Sequence, residues 1–599
     1  ALLGAYKDSG TTMESIVTEY ANRALAFRAM QDATVRNGNQ YLWKDQDKPN
    51  SLPETILPAG GFYNTQTRTM ESYDFRASAT YNTTLNNDHI INTYLGSEVN
   101  SQDRVSRWMD GWGMQYDSGL TPFWDYRAFK RLTEKNWDYY GLSKSFGRSV
   151  AFFANATYSY KGRYTITGTT RYEGTNRLGR TRKARWLPTW NISGAWNAHS
   201  EDFFEKQHLL SHLTLKGSYS LVGVAPSWVT NSRAIIYSRA AWRPSAGQSE
   251  NRNYIGSFEN EDLTYEKKHE LNFGVDMGLL KNRLNIAADI YWRNNFDLIG
   301  AAYTIGGTRW GNVASMKSHG FELSVSTKNI QSKDFSWTTD FIFGSTFNKV
   351  TELDTKRNMF NFLTGNGFAR QGYPVRSLFS IPFTGLDDEG FPTFMVNGKQ
   401  VTRRNYRDIN FQQVDDLDFL KYEGSSEPTY NGSFGNVFTF KNFKLNVFIT
   451  YSGGNKLRLD PSFYAAYSDL WATPKEYRNR WTTLGDERKT DIPVIASVRD
   501  HYSYSNLGTG YAAYNYSTAR VADGSFVRLK EVSLTYTLPT SLVKRLGFLK
   551  SASFKVQATN LALLYADKKL YGQDPEFFRS GGVAAPLPKQ VTATVHIGF

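Results

Sequence analysis

Apolar and polar residues alternate strictly along Val591–Phe599, the last residues of the chain. Because successive side chains of a strand point to opposite faces, the pattern predicts a strand with one apolar and one polar face. A soluble sandwich could also end on such a strand. The closing strand of an outer-membrane barrel, however, needs lipid-facing apolar residues and a terminal interfacial aromatic. We therefore interpret Val595, Ile597 and Phe599 as a barrel-assembly signal.

The same alternation recurs along the chain in pairs of segments joined by short turns. Residues 73–81 alternate and turn at Asn86–Asp88, and the clearest pair is Phe434–Tyr451, which turns at Lys441–Asn442. Such pairs predict antiparallel hairpins. Many segments run for about ten residues, which is the length of a tilted strand that crosses a membrane. The sequence thus predicts an all-β fold, a large transmembrane antiparallel β-barrel, with roughly 16 to 18 strands in this chain.

Short and long connections alternate between these segments. Long loops are predicted at residues 101–148, 221–262, 293–313, 354–428 and 452–524. Short turns on one side and long loops on the other are typical of outer-membrane barrels, whereas a compact soluble domain rarely carries so many long loops.

The start of the chain is less regular than the rest. Residues 1–70 are assigned to the start of the barrel or to a loop, and residues 71–599 to the barrel with its long loops. The chain opens without Met or a basic leader region, which predicts that it starts inside a longer protein.

The amino-acid composition is consistent with a β-sheet that has one face toward lipid and the other toward water. Aromatic residues reach 15% although apolar residues are only 40% of the chain, as expected for a sheet belted with Tyr and Trp. The absence of Cys excludes disulfides and thiolate catalysis. The net charge of +14 is scattered along the chain, which favours outer-membrane lipid and lipopolysaccharide as partners over nucleic acid.

No catalytic constellation can be located in the sequence. It has no nucleophile elbow and no phosphate loop, so neither an enzyme nor a cofactor is predicted. Asp415, Asp416 and Asp418 could ligate Ca²⁺, but they lack the pattern of a calcium loop, and a solvated acidic turn is the preferred interpretation.

Aromatic residues concentrate in the long loops instead. Flat rings with polar edges suit the C–H faces of sugars or the side chains of peptides. The alternative is that each ring packs one loop against another or against a partner protein. The candidate substrate-binding residues are Trp108, Trp112, Trp124, Trp228, Trp242, Arg243, Tyr303, Trp310, Tyr464 and Trp471.

Several segments follow one another in an order found in one known family. They are Gly311–Leu323, Asp334–Trp337, Phe347–Val350, Gly372–Val375, Pro428–Gly432, Ser525–Leu534, Tyr536–Pro539 and Ala558–Leu561. In this order they resemble the barrel region of the SusC/RagA-type TonB-dependent outer-membrane transporters of Bacteroidetes. No single segment is specific, but their ordered combination is.

The resemblance implies a barrel of about 22 strands, an N-terminal plug that engages TonB, and a SusD-like surface lipoprotein that covers the barrel. Neither a plug nor a TonB box can be recognised in this chain. The implied function is TonB-dependent import of an oligomeric nutrient across the outer membrane of a Gram-negative bacterium. A glycan is the first choice of substrate and an oligopeptide, as in RagA-like members, the alternative. The alternatives from other functional classes are a surface adhesin and a passive porin.

Overall fold

The computed structural model describes most of the chain. The described residues are 2–9, 12–15, 42–44, 47–55, 61–115, 121–122, 140–204, 209–225, 235–243, 248–304, 307–355, 357–467, 473–546, 548–578, 586 and 588–599. No helix in these ranges combines the length and the apolar character needed to cross a membrane.

Strands dominate the described residues, and the helices are short. The strands are β1 (Leu2–Ser9), β2 (Thr12–Ser15), β3 (Leu42–Trp43), β4 (Glu54–Thr55), β5 (Gly61–Leu85), β6 (His89–Gln115), β7 (Thr121–Pro122), β8 (Tyr140–Tyr160), β9 (Tyr164–Thr175), β10 (Trp186–Asn197), β11 (Leu210–Val224), β12 (Ile235–Arg243), β13 (Gln248–Ser257), β14 (Glu266–Leu279), β15 (Leu284–Thr304), β16 (Gly307–Gln331), β17 (Phe335–Leu353), β18 (Ser377–Ser380), β19 (Phe383–Leu386), β20 (Pro392–Val396), β21 (Lys399–Val401), β22 (Lys421–Ser425), β23 (Tyr430–Phe440), β24 (Phe443–Gly453), β25 (Lys456–Arg458), β26 (Val521–Asp523), β27 (Phe526–Thr537), β28 (Ser551–Tyr565) and β29 (Gln590–Gly598). The helices are α1 (Arg182–Arg185), α2 (Met359–Leu363), α3 (Val498–Ser503), α4 (Leu507–Asn515) and α5 (Thr540–Leu546).

One antiparallel sheet of 18 strands organises the described residues. Both β1 and β2 pair with β5, and β7 pairs with the end of β6. From β5 the sheet continues strand by strand through β6, β8, β9, β10, β11, β14, β15, β16, β17, β23, β24, β27, β28 and β29. Each strand pairs with a strand near it in sequence. The predicted all-β class and the predicted number of strands are confirmed.

The register places the apolar residues of neighbouring strands on one common face. Val595 of β29 lies opposite Phe554 of β28, Phe554 lies opposite Tyr536 of β27, and Tyr536 lies opposite Phe443 of β24. Phe443 and Phe554 are exposed, Tyr536 is half-buried, and Val595 is 65% exposed. An apolar surface of this extent is not found on soluble monomers, but it is what hydrocarbon requires of a barrel exterior.

The opposite face of the sheet is charged and hydrogen-bonded. Glu270 accepts from Arg293 at 3.0 Å and from Lys268 at 2.5 Å, and Arg171 pairs with Glu173 at 2.7 Å. These side chains alternate in sequence with the apolar ones. Such a face suits a water-filled interior, where ion pairs stay hydrated.

The strands extend beyond the predicted boundaries. The segments β5 and β6 contain 25 and 27 residues, so part of the predicted loop 101–148 is strand. The predicted loop 293–313 is wrong, because it lies almost entirely in the hairpin β15–β16. Outside the membrane both faces of a hairpin meet water, so the alternation of apolar and polar residues is lost. The backbone pairing of the two strands nevertheless continues. The strand β5 runs through position 70, and the division into 1–70 and 71–599 stays a prediction.

The two faces of β16 provide a direct test of this arrangement. Replacement Phe321→Lys puts a charge on the lipid-facing side and should lower the free energy of unfolding by about 2–4 kcal/mol. Replacement Glu322→Lys changes the neighbouring residue on the opposite face, beside Asp289, and should be tolerated. Urea unfolding of the full-length protein in bilayers measures both, and equal losses would contradict the assignment of faces.

Candidate functional site

The described long connections lie at the end of the sheet opposite the short turns. Two of them, residues 354–429 and 454–525, fold together into one unit that we call the loop module. It contains β18–β22, β25, β26 and α2–α4. The two segments are separated in sequence by the hairpin β23–β24, so the barrel itself brings them together.

Aromatic residues from both segments form the core of the loop module. The buried rings belong to Phe362, Phe379, Phe391, Phe394, Tyr406, Phe463, Tyr477, Tyr511 and Tyr514. Rings of this size bury large apolar areas and pack edge to face. Phe463 and Tyr514, for example, meet in a T-shaped contact with centroids 5.1 Å apart.

Backbone hydrogen bonds join the two segments of the loop module. The amide of Ile381 donates to the carbonyl of Tyr516, and the amide of Thr518 donates to the carbonyl of Ile381, both at 3.0 Å. The side chain of Asn515 bonds the amide and the carbonyl of Phe463 at 3.1 and 2.7 Å. The buried backbone groups of these loops are therefore satisfied within the module.

The phenol groups of the core are satisfied in the same way. Tyr406 donates to the carbonyl of Pro392 at 2.7 Å, and Tyr477 donates to Tyr467 at 2.5 Å. Burial raises the pKa of Tyr406 and of Tyr477 well above the ordinary value. Both rings therefore stay neutral and serve as fixed donors that shape the module.

Arg458 lies at the base of the loop module and is only 1% exposed. Its Nη1 donates to the carbonyl of Ser517 at 2.8 Å, and its Nη2 donates to the carbonyl of Phe379 at 2.5 Å and to Ser380 at 3.0 Å. Burial lowers the pKa of this guanidinium to about 10, so it is charged at neutral pH. Arg458 thus holds both segments of the module to each other.

A cleft of about 530 Å³ opens between the loop module and residues 569–571. A smaller hollow of about 260 Å³ adjoins it and shares Glu476, Arg520 and Tyr571 with it. The cleft carries charges of both signs. Its charged residues are Glu476, Arg480, Asp486, Lys489, Asp491, Arg520 and Lys569.

The wall of the cleft is rigid and its rim is polar. Arg520 forms a buried ion pair with Glu476, donates to the carbonyl of Asp460 at 3.1 Å and lies 4.6 Å from the centroid of the Phe463 ring. At the rim, hydrogen bonds from Thr482 lower the pKa of Asp486, which keeps this carboxylate charged. A cleft of this kind can bind a polar ligand that carries both charges.

A second cavity, of about 460 Å³, lies beside the segment Gly311–Val313. The side chain of Asn312 donates to the carbonyls of Thr264 and Asp297 at 3.0 and 2.6 Å and accepts from the amide of Thr264 at 3.0 Å. Asn312 therefore ties the connection before β14 to the hairpin β15–β16. Asn312 belongs to the segment Gly311–Leu323 that carries the family resemblance. This segment therefore positions the rim of the barrel.

Three of the predicted substrate residues have described side chains. Trp108 lies on β6 with its indole over Gly141 of β8. Trp310, on β16, packs against a buried cluster that contains Leu178 and Leu263. Tyr464 is 49% exposed on the loop module, next to Tyr467. The structure does not bring these three into one site, and a ligand role for each stays a prediction.

The remaining predicted positions are described only in part. Trp112 lies on β6, Trp242 and Arg243 lie on β12, and Tyr303 lies on β15, in each case with the side chain outside the described residues. Trp124, Trp228 and Trp471 lie outside the described residues altogether. At the C-terminal signal, Val595, Ile597 and Phe599 are exposed at the end of the apolar face.

Sequence reasoning missed the charged cleft and the shared core of the loop module. The charged residues of the cleft come from three separate stretches, residues 476–491, Arg520 and Lys569, and no local spacing connects them. One signal was available in Ser497 and Asp500, which form a capping box at the start of α3 and predict a folded loop.

The described residues contain no group of three or more His, Cys, Asp or Glu that could hold a metal ion. In the acidic turn considered for Ca²⁺, the carboxylate of Asp418 pairs with Arg370, and Leu417 is buried in the core of the module. The turn therefore gives the calcium alternative no support.

Residues 4–459 match the model of the family described as TonB dependent receptor-like, beta-barrel. The chain belongs to this family. Its predicted location in the outer membrane is confirmed, as is the predicted SusC/RagA-type resemblance.

Curated TonB-dependent receptors are similar to most of the chain. TonB-dependent receptor P3 of Formosa agariphila is 26% identical over 442 residues, which are 71% of this chain and 42% of that protein. TonB-dependent receptor P39 of the same organism is 24% identical over 584 residues, 89% of this chain and 53% of that protein. SusC of Bacteroides thetaiotaomicron is 26% identical over 212 residues, 34% of this chain and 21% of that protein. The chain spans about half the length of the first two relatives.

Among solved structures, the RagAB peptide transporter has the same fold. The TM-score is 0.72 at 22% identity, and the match covers 92% of this chain and 58% of that chain. At this level of identity the similarity concerns the fold and not the ligand.

The role assigned to Arg458 can be tested by mutation. Replacement Arg458→Ala removes the guanidinium donors to the buried carbonyls of Ser517 and Phe379 and should destabilise the loop module by about 3 kcal/mol. Proteolysis within residues 354–429 and 454–525 should accelerate, while the heat stability of the barrel should not change. The exposed Arg404, replaced by Ala, is the control, and equal resistance of both variants would contradict the assignment.

Proposed function

We propose that the whole protein imports an oligomeric nutrient across the outer membrane in a TonB-dependent manner, without covalent chemistry. One observation carries the proposal: a family barrel sheet with an apolar outer face and a charged inner face supports a folded loop module with an open cleft. This arrangement suits the capture and passage of a ligand. The plug that engages TonB and a SusD-like lipoprotein are proposed partners, supported by the similarity to SusC and to RagAB.

The charges of the cleft favour an oligopeptide as the substrate. A peptide presents an ammonium, a carboxylate and charged side chains, and the cleft offers Arg480 and Lys489 beside Asp486 and Asp491. A neutral sugar gains less from such groups, because charged side chains in a cleft discriminate by complementary charge. The structure of the RagAB peptide transporter has the same fold, which is compatible with this class.

A glycan is the second candidate, as the loop aromatics predict. The observation that favours it is the exposed ring of Tyr571, which lines the cleft, together with the exposed Tyr464 on the loop module. Exposed tyrosines offer flat apolar faces to sugar rings. A sulfated or acidic glycan would in addition use the basic residues.

Binding and uptake by the full-length protein decide between these substrates. We expect the transporter–lipoprotein complex to bind a mixture of oligopeptides, and cells lacking the gene to lose growth on peptides as the sole nitrogen source. Growth lost on a glycan with peptide use intact would assign the second candidate. Conductance in a bilayer without TonB would favour a passive porin, and binding to host protein with normal growth would favour an adhesin.

The cleft itself is tested by removing two of its exposed positive charges. The double variant Arg480→Gln and Lys489→Gln should weaken binding of acidic oligopeptides by about tenfold, which corresponds to the loss of about 1.4 kcal/mol. Isothermal titration with the purified complex measures this. Lys399→Gln combined with Arg404→Gln, elsewhere on the module, removes the same charge as a control. Equal affinities in all three proteins would place the ligand outside the cleft.

A further inference from the structure

The short turns form a continuous, hydrogen-bonded rim at one end of the sheet. The amide of Lys328 donates to the carbonyl of Arg283, and the amide of Lys441 donates to the carbonyl of Asp334, both at 2.8 Å. The side chain of Asn442 donates to the carbonyl of Thr537 at 2.8 Å. These bonds tie the turns to one another or to the ends of the adjacent strands. We call the residues 280–283, 332–334, 441–442, 538–546 and 548–550 the short-turn rim.

The short-turn rim carries a large excess of positive charge. Its only carboxylate is that of Asp334, whereas its basic residues are Lys281, Arg283, Lys333, Lys441, Lys544, Arg545 and Lys550. Among the described residues, no ion pair joins a carboxylate to Lys281, Lys333, Lys441, Arg545 or Lys550, and all five are exposed. The cations are therefore available to a ligand.

In other turns at the same end of the sheet, by contrast, the positive charges are paired with carboxylates. Lys161 faces Asp88, with Nζ 3.7 Å from Oδ2. Arg163 pairs with Glu201 at 2.9 Å and with Asp202 at 2.7 Å. Among the described turns at this end of the sheet, the uncompensated charge is therefore concentrated in the short-turn rim.

Backbone conformation makes lysine an unfavourable choice in two of these turns. Lys281 has φ 59° and Lys441 has φ 51°, in the left-handed region. Asn or Gly adopts this region more readily, and Asn86 and Asn87 occupy it in the first hairpin. Conformation alone therefore does not favour lysine at these two positions, and replacement by Asn should be tolerated.

The free cations lie directly beside the lipid-facing surface. The Nζ of Lys441 is 5.5 Å from the centroid of the exposed Phe440 ring. Phe443, across the same turn, is also exposed and packs on Tyr536 with centroids 4.7 Å apart. Aromatic rings of this kind mark the boundary between hydrocarbon and headgroups, so the lysines are level with the phosphate groups of the lipids.

We propose that the short-turn rim binds the phosphate groups of anionic phospholipids, such as phosphatidylglycerol, in the periplasmic leaflet of the outer membrane. The short turns of outer-membrane barrels face the periplasm, and anionic headgroups attract lysine and arginine at the membrane surface. The lipid surface continues the apolar face described above. The proposal depends on the orientation of the barrel, with its short turns toward the periplasm. It does not depend on the proposed transport activity.

Lipid selectivity of the full-length protein tests the proposal. The protein is reconstituted in phosphatidylcholine bilayers with a trace of spin-labelled phosphatidylglycerol or spin-labelled phosphatidylcholine. The wild type should retain the phosphatidylglycerol probe preferentially. In the triple variant Lys281→Asn, Lys333→Gln and Lys441→Asn, affinity should fall about fivefold for each lysine removed.

A matched variant separates the rim from net charge. Lys161→Asn, combined with Lys399→Gln and Arg404→Gln, removes the same charge from a balanced turn and from the loop module, and Lys161 has a similar φ of 52°. This variant should keep the preference. Asn adopts the left-handed conformation readily, so the triple variant should unfold at the same temperature as the wild type or higher. A loss of lipid selectivity then cannot be attributed to unfolding. Unchanged selectivity of the triple variant, an equal loss in the matched variant, or no preference in the wild type would overturn the proposal.

Discussion

Backbone hydrogen bonding between neighbouring strands is the constraint on which the rest of the structure depends. Hydrocarbon offers no partner for an amide or a carbonyl, so each membrane-crossing strand must be paired along its length. The sheet satisfies this requirement by antiparallel pairing from β5 to β29. That pairing fixes the register, and the register determines which side chains meet lipid and which meet the interior.

The consequences differ at the two ends of the sheet. At the short-turn end the connections are so tight that the backbone adopts left-handed conformations, and exposed lysines stand beside aromatic rings. At the opposite end the strands run beyond the lipid and the connections grow long enough to bury a core of their own. The same sheet thus presents a charged edge to one leaflet and a folded, ligand-sized cleft to the other side of the membrane.

The loop module is built differently from the sheet that carries it. Its core consists of buried aromatic rings, Arg458 satisfies buried carbonyls from two distant segments, and Asn515 satisfies that of Phe463. A module of this kind behaves as a small globular unit. It can hold the charges of the cleft in fixed positions, because Arg520 and Glu476 are paired and buried in the wall. Rigid placement of charges favours selective binding over broad attraction.

The sequence by itself determined the fold class, the strand pairing around turns such as Lys441–Asn442, and the apolar face that ends at Phe599. These properties follow from a two-residue period, which is local and readable along the chain. The strand ends that extend beyond the membrane, as in β15–β16, could not be predicted from the sequence. Both faces of these ends meet water, so the two-residue alternation of apolar and polar residues is lost there. Only the tertiary structure decided the cleft and the excess charge of the rim. Arg520 and Lys569 are far apart in sequence but line the same cleft, and the sheet brings the turns of Lys281 and Lys441 to the same edge.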